Sequence, residues 1–251
     1  MCAVILIVIL RDCSSDNKMS RFEIDGKYGI GINQSNLLVP AIYDSISDYG
    51  IGNQWILYDK KNNLEGLAYV SDSISIISPT YGKVVARNEN GLSVLRLNKD
   101  EQTYLNSFYV VRKGCFVNNI EYVRINHPGY YWDEKDCLVA KCSDGGMQLI
   151  GTDGMPINGK TYYEIVIDED SVIRAISYDA QANYKRAGMT TLHNYAGEKI
   201  SNKEFYKVDA FSDGVAWATI TKEDEKRSSR SLIDRSGTIL FNITSTVLRC
   251  I

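Results

Sequence analysis

The chain has 251 residues, with 28 Lys and Arg against 31 Asp and Glu, for a formal charge of −3. Its basic residues are scattered, so it presents no positive field for nucleic acid or for an anionic membrane surface. Its length permits one or two domains with a sizeable core, and 17 Tyr with only 4 Pro suit folded β-structure rather than disorder.

Residues 3–10 are unbroken apolar, too few to cross a bilayer but close to the hydrophobic core of a signal peptide. The run is followed by Arg11-Asp-Cys13, which resembles a bacterial lipoprotein signal in which the cysteine takes the lipid. The expectation is therefore an export segment over residues 1–20. It places the chain in the cell envelope, in the periplasm or on the outer surface, with possible membrane anchoring through Cys13. A hydrophobic first strand is the plainer alternative for the same β-branched run.

From residue 21 onward one short pattern recurs: an aromatic residue with Ile or Val three positions later. It reads Tyr43-Asp-Ser-Ile46, Tyr81-Gly-Lys-Val84, Phe108-Tyr-Val-Val111, Tyr162-Tyr-Glu-Ile165 and Phe205-Tyr-Lys-Val208, with a degraded copy at Phe241. The mean step is about 40 residues, within the range of repeat architectures. Each copy reads as three strands. In the last, residues 214–220, 231–237 and 238–242 follow one another around a charged loop at 222–227. Turns are expected at 33–36, 152–154 and 196–197, where Gly or Asn tolerates positive φ. Pro40 and Pro79, just ahead of Tyr43 and Tyr81, predict an edge or a bend there, because proline cannot donate to a ladder.

The pieces Asp25-Gly-Lys-Tyr-Gly-Ile30, Leu38-Val-Pro-Ala-Ile-Tyr-Asp44, Glu65-Gly-Leu-Ala-Tyr-Val70 and Phe211-Ser-Asp-Gly-Val-Ala216 resemble the WG-repeat, or KWG-repeat, family over about residues 21–242. Where that family has Trp-Gly, this chain has Tyr28-Gly29, Gly66-Leu67, Gly91-Leu92, Gly146-Met147, Met189-Thr190 and Arg230-Ser231, so the copies are eroded. The resemblance implies an all-β repeat protein of a kind common in bacteria, and it brings no catalytic residues.

A three-strand unit with one apolar face must bury it on a neighbour. The predicted fold is thus all-β: tandem antiparallel units of three to four strands over residues 21–251, in a propeller-like ring or, alternatively, an open β-solenoid. Tyr43, Tyr81, Phe108, Tyr162, Phe205 and Phe241 serve as plugs between successive units.

The chemistry is sparse. His127 precedes Pro128 in a loop and His193 lies on a strand, neither with a nucleophile or ligand partner close in sequence. Cys2, Cys115, Cys137, Cys142 and Cys250 show no zinc spacing, and Cys137 and Cys142 fall on opposite faces of a straight strand. The acidic groups at 133–136 and 168–170 do not match a calcium loop and read as solvated linkers. No cofactor, metal or catalytic residue is implied. One region, near 112–136, is longer than a unit requires. In repeat proteins such insertions often form the binding face, and here His127, Tyr130, Tyr131 and Trp132 offer flat amphipathic surfaces. A packed hairpin is the plainer reading. Tyr178 and Tyr184 flank a second candidate loop. These features predict a non-enzymatic module that binds a protein or a glycan. The alternative is a hydrolase of extracellular polymers using carboxylates gathered from several repeats.

Overall fold

The computed structural model describes residues 8–9, 19–47, 50–80, 82–98, 106–117, 120–126, 136–168, 170–179, 187–220 and 227–246. Among them the chain is all-β, with one short 3-10 turn at Ile157–Gly159 and no α-helix. This is the fold class the repeats predict. The chain divides into two compact units, residues 1–125 with 132–134, and residues 126–131 with 135–251.

In the first unit, β1 (Val8–Ile9) lies on the edge of the second of three antiparallel sheets. The first sheet is β2 (Ser20–Ile24), β3 (Lys27–Asn33) and β4 (Asn36–Tyr43). The second is β5 (Ser45–Ile46), β6 (Gln54–Asp59), β7 (Leu64–Val70) and β8 (Ser73–Ile77). The third contains β9 (Lys83–Arg87), β10 (Leu92–Asn98), β11 (Asn106–Arg112), the short β12 (Cys115–Phe116) and β13 (Tyr122–Asn126). The predicted insertion thus supplies two strands, and Tyr122 within it is fully buried.

In the second unit, β14 (Leu138–Cys142) and β15 (Met147–Ile150) make a hairpin. A three-stranded sheet follows, made of β16 (Glu164–Ile167), β17 (Ile173–Tyr178) and β18 (Ala187–His193). A four-stranded sheet of β19 (Lys207–Val208), β20 (Val215–Thr219), β21 (Arg227–Asp234) and β22 (Ile239–Thr246) ends the described chain. Its strands pair in chain order, the up-and-down topology of a propeller blade.

The recurring motif acquires a physical meaning here. Tyr43 pairs with Tyr28, Tyr162 with Met147 and Phe205 with Thr190, and in each case fifteen residues separate the partners. The chain then leaves that sheet. The next backbone N–H donates to the second strand of the following sheet: Asp44 to Tyr58 O at 3.1 Å, Tyr163 to Ile176 O at 2.8 Å and Tyr206 to Thr219 O at 2.8 Å. The Ile or Val three residues on starts the new sheet. Each pair is buried together: Tyr43 with Ile46, Tyr162 with Ile165, and Phe205 with Val208. Removing such a ring and its aliphatic partner from water contributes about 2 kcal/mol per side chain. Phe108 departs from the rule, because β11 runs straight through it and pairs it with Arg96. Phe241 also departs, pairing with Leu232 inside β22 and remaining 58% exposed. Tyr81 lies outside the described residues.

Two glycines near these crossovers, Gly29 and Gly66, are explained by close approach of the next strand. A Cβ on Gly29 would stand 2.6 Å from Val39 O and 2.9 Å from Ala41 N, and one on Gly66 would stand 2.6 Å from Pro79 N. The third strand passes directly over these positions. The β3–β4 register shifts on both sides of Ile30, which is the bend expected around Pro40.

Candidate functional site

Alternation along β18 places Met189, Thr191 and His193 on one face, while Leu192 is buried in the core cluster of Phe205. The first three residues line a cavity of about 500 Å³ that lies entirely within the second unit. His193 is buried, and both of its ring nitrogens are engaged. Nδ1 stands 3.0 Å from the Gly197 carbonyl, which only accepts, so Nδ1 carries a proton. Nε2 stands 2.9 Å from the Thr191 hydroxyl, whose single proton also faces the Ala175 carbonyl at 3.1 Å. Burial holds the ring's pKa below its ordinary value of 6.5, more than the Gly197 hydrogen bond raises it, and nearby Lys199 and Lys160 push the same way as burial.

The Gly197 carbonyl is aimed by the turn predicted at 196–197. Gly197 adopts φ +80°, its N–H donates to Asn194 O at 2.9 Å, and a Cβ there would collide with Ile157. Tyr162 meets His193 edge to face, with ring centroids 6.1 Å apart.

The lining also includes the stretch that follows the 3-10 turn, Lys160-Thr-Tyr162. Most polar groups around the cavity are already paired. Glu198 accepts from the Asn194 side chain at 2.9 Å, Lys199 and Glu204 stand 3.5 Å apart, and Ser177 is engaged by Met189 N and O. Thr161 accepts from Gln148 at 3.2 Å, which leaves its own proton to donate. Two groups differ. The Lys160 ammonium has no hydrogen-bond or ion-pair partner among the described residues. Neither has the Tyr162 phenol, whose ring is buried while its hydroxyl reaches solvent; burial of the ring raises its pKa.

Of the residues singled out from sequence, His127, Tyr130, Tyr131, Trp132, Tyr184 and Cys13 lie outside the described residues. Tyr178 is half-buried and packs edge to face on Tyr163 at 5.8 Å, beside the cavity residue Ser177. Asp168 and Asp170 are not the solvated carboxylates the sequence suggests. Asp168 is buried in a two-point pair with Arg174, at 2.7 and 2.9 Å, and Arg174 also donates to Val208 O at 2.7 Å. Asp170 accepts from Gly214 N and Arg235 at 2.8 and 2.7 Å. Both carboxylates therefore tie one sheet to the next. Among the described residues no three His, Cys, Asp or Glu side chains gather as metal ligands would. Cys137 is buried and its thiol is pushed up to about 12, chiefly by burial, so it is inert as a nucleophile. Sequence reading had placed Tyr162 only as a repeat plug, and nothing in the sequence marked Lys160.

A second cavity, of about 350 Å³, lies in the first unit and holds two carboxylates, Asp44 and Asp59. Hydrogen bonds from Lys27 and the Lys60 backbone hold Asp44 below the usual carboxylate range, and both donors of Asn62 do the same for Asp59. Neither can donate a proton at neutral pH, as one member of a glycosidase pair must.

No protein-family model matches the chain. No curated protein matches it either. Among solved structures it is similar to a eukaryotic initiation factor, with 11% identity and a TM-score of 0.38, covering 91% of this chain and 63% of that one. It is also similar to a quinonprotein alcohol dehydrogenase-like protein from Bacteroides thetaiotaomicron, with 11% identity and a TM-score of 0.22, covering 91% of this chain and 66% of that one. The chain thus spans less than two thirds of the length of the structures it resembles.

Proposed function

We propose that the chain is a non-enzymatic β-repeat module of the WG-repeat kind, exported to the bacterial cell envelope, where it binds a protein or glycan partner. The observation that supports this is the state of the second unit's cavity. Both nitrogens of its histidine stand against structural partners, while a lysine and a phenol hydroxyl in the same lining have none. Such a lining binds more readily than it catalyses, since a general base needs a ring nitrogen free to reach substrate. The test is to probe arrays of envelope glycans and envelope proteins with the full chain, and to assay the retained polymers for new reducing ends. Retention without cleavage is the expected result. Cleavage of a retained polymer would overturn the reading and return the hydrolase alternative. Anchoring through Cys13 is tested separately: labelled palmitate should enter the wild-type chain and not Cys13→Ala, and its absence from both would remove the anchor.

A further inference from the structure

We infer that Asn158 is a spontaneous modification site, where the backbone nitrogen of Gly159 attacks the side-chain amide and converts the residue to aspartate and isoaspartate, placing a new carboxylate in the lining of the second unit's cavity. The inference is independent of the binding-module reading, since it needs no ligand.

The reaction needs only water. The nitrogen of the following residue bonds to Cγ of the asparagine, ammonia leaves, and a five-membered imide remains. Water then opens the imide at either carbonyl. One route gives aspartate, and the other carries the main chain through the former side chain as isoaspartate. Glycine is the most permissive following residue, because no Cβ hinders the backbone rotation that attack requires.

The chain holds two Asn-Gly pairs, Asn90-Gly91 and Asn158-Gly159, and the structure separates them. Asn90 lies in the turn between β9 and β10, where the backbone is well held. Asn88 Oδ1 accepts from Asn90 N at 3.2 Å and from Leu92 N at 3.0 Å, and Gly91 O accepts from Lys113 N at 2.7 Å. Gly91 is buried, and side-chain atoms of Tyr69 and Lys113 stand 3.4 Å from where its Cβ would be, so this backbone has little room to turn.

Asn158 stands in the 3-10 turn Ile157–Gly159 at φ 55° and ψ 18°, a conformation that costs an L side chain energy. Asn158, Gly159 and Lys160 are all exposed, and the Asn158 side chain has no hydrogen-bond partner among the described residues. A Cβ on Gly159 would meet nothing within 4 Å. The turn is closed by two long hydrogen bonds, Gly159 N to Pro156 O at 3.2 Å and Lys160 N to Ile157 O at 3.3 Å. Such an exposed turn opens locally at little cost, and opening frees the Gly159 nitrogen to reach Cγ. The Lys160 ammonium, one residue on, favours loss of the amide proton that must precede attack.

The product alters the cavity. Asn158 is part of its lining, whose ionic side chains are Lys160 and Lys199 against Glu198 and Glu204. A carboxylate at position 158 turns that balance net negative. The isoaspartate form also lengthens the backbone just ahead of Lys160-Thr-Tyr162.

Peptide mass spectrometry of the full chain, held folded at mildly alkaline pH and sampled over weeks, tests this. Trypsin releases residues 142–160, in which Asn158 is the sole asparagine, so reaction there reads as the mass change from amide to acid. The aspartate and isoaspartate peptides separate as a chromatographic doublet. In the folded chain Asn158 should react at least about tenfold faster than Asn90, whose turn is harder to open. In concentrated urea the two pairs should react at similar rates. Asn158→Ser should abolish the change in residues 142–160, and its persistence would assign it to Gln148 and overturn the site. Equal rates at Asn158 and Asn90 in the folded chain would overturn the inference, as would an unreacted Asn158 after the time in which the urea-unfolded chain reacts. A difference that persisted in urea would place its cause in the local sequence and overturn the structural argument. The module reading stands or falls separately, on the arrays.

Discussion

His193 shows how one side chain is fixed by chemistry visible in sequence and by chemistry that is not. Its place on a strand, followed four residues later by a turn glycine, is plain from Met189-Thr-Thr-Leu-His-Asn-Tyr-Ala-Gly197. Its proton arrangement is not, because that depends on Thr191 and on the Gly197 carbonyl being turned toward it. The consequence is a stability that depends on pH. The folded ring resists protonation below its ordinary 6.5, while the unfolded ring takes the proton up. The contribution of His193 is therefore complete above that value and is lost as pH falls toward the depressed folded-state value. The melting temperature of the wild-type chain should drop between about pH 7.5 and about pH 5.5 by more than that of His193→Asn, whose side-chain amide keeps a donor for Gly197 O. Equal drops would mean that other groups set the acid limit. Lys160 is the opposite case. Its place in the cavity lining depends on strands from elsewhere in the unit, and no local pattern records that.

At the scale of the element, the aromatic-x-x-Ile/Val motif is legible because at Tyr43, Tyr162 and Phe205 it marks the same event, the step from one sheet to the next. Two of its copies were misleading for a physical reason. Around Phe108 and Phe241 the strand continues instead of crossing, so the same residues make ordinary ladder pairs. The carboxylates at 168–170 were misread as well, since their arginines come from β17 and from the β21–β22 turn. The crossover predicts two kinds of damage. Phe205→Ala removes a ring that is 1% exposed and should cost about 3–5 kcal/mol in denaturant unfolding. Gly66→Ala adds one methyl where the backbone of residues 77–79 already passes, and should cost about 1–3 kcal/mol or more despite alanine's better propensity. Gly145→Ala is the contrast, since a Cβ there meets nothing within 4 Å and only its φ of +89° opposes the change. If Gly66→Ala proved no more harmful than Gly145→Ala, close approach would not be the reason for glycine at position 66.

At the scale of the molecule, the repeat count predicts an unbroken array, yet the contacts within the chain gather into two units that meet in sequence where the insertion lies. Each unit owns its core. Ile30, Val39, Tyr43 and Leu57 cluster in the first, and Leu67, Ile77, Leu95 and Val111 form its satellite. In the second, Val139, Leu149 and Tyr162 form one cluster, and Leu192, Phe205 and Ile233 another. A body with its own buried clusters and its own sheet-to-sheet ties, such as Arg174 donating to Val208 O, has what independent folding requires. Residues 135–251 expressed alone should therefore unfold in one cooperative transition, with a denaturant m-value about half that of the whole chain, since m follows the surface exposed. A broad, non-cooperative melt would show that the two units complete one another's cores, and that the repeat array, rather than the unit, is the smallest body that folds.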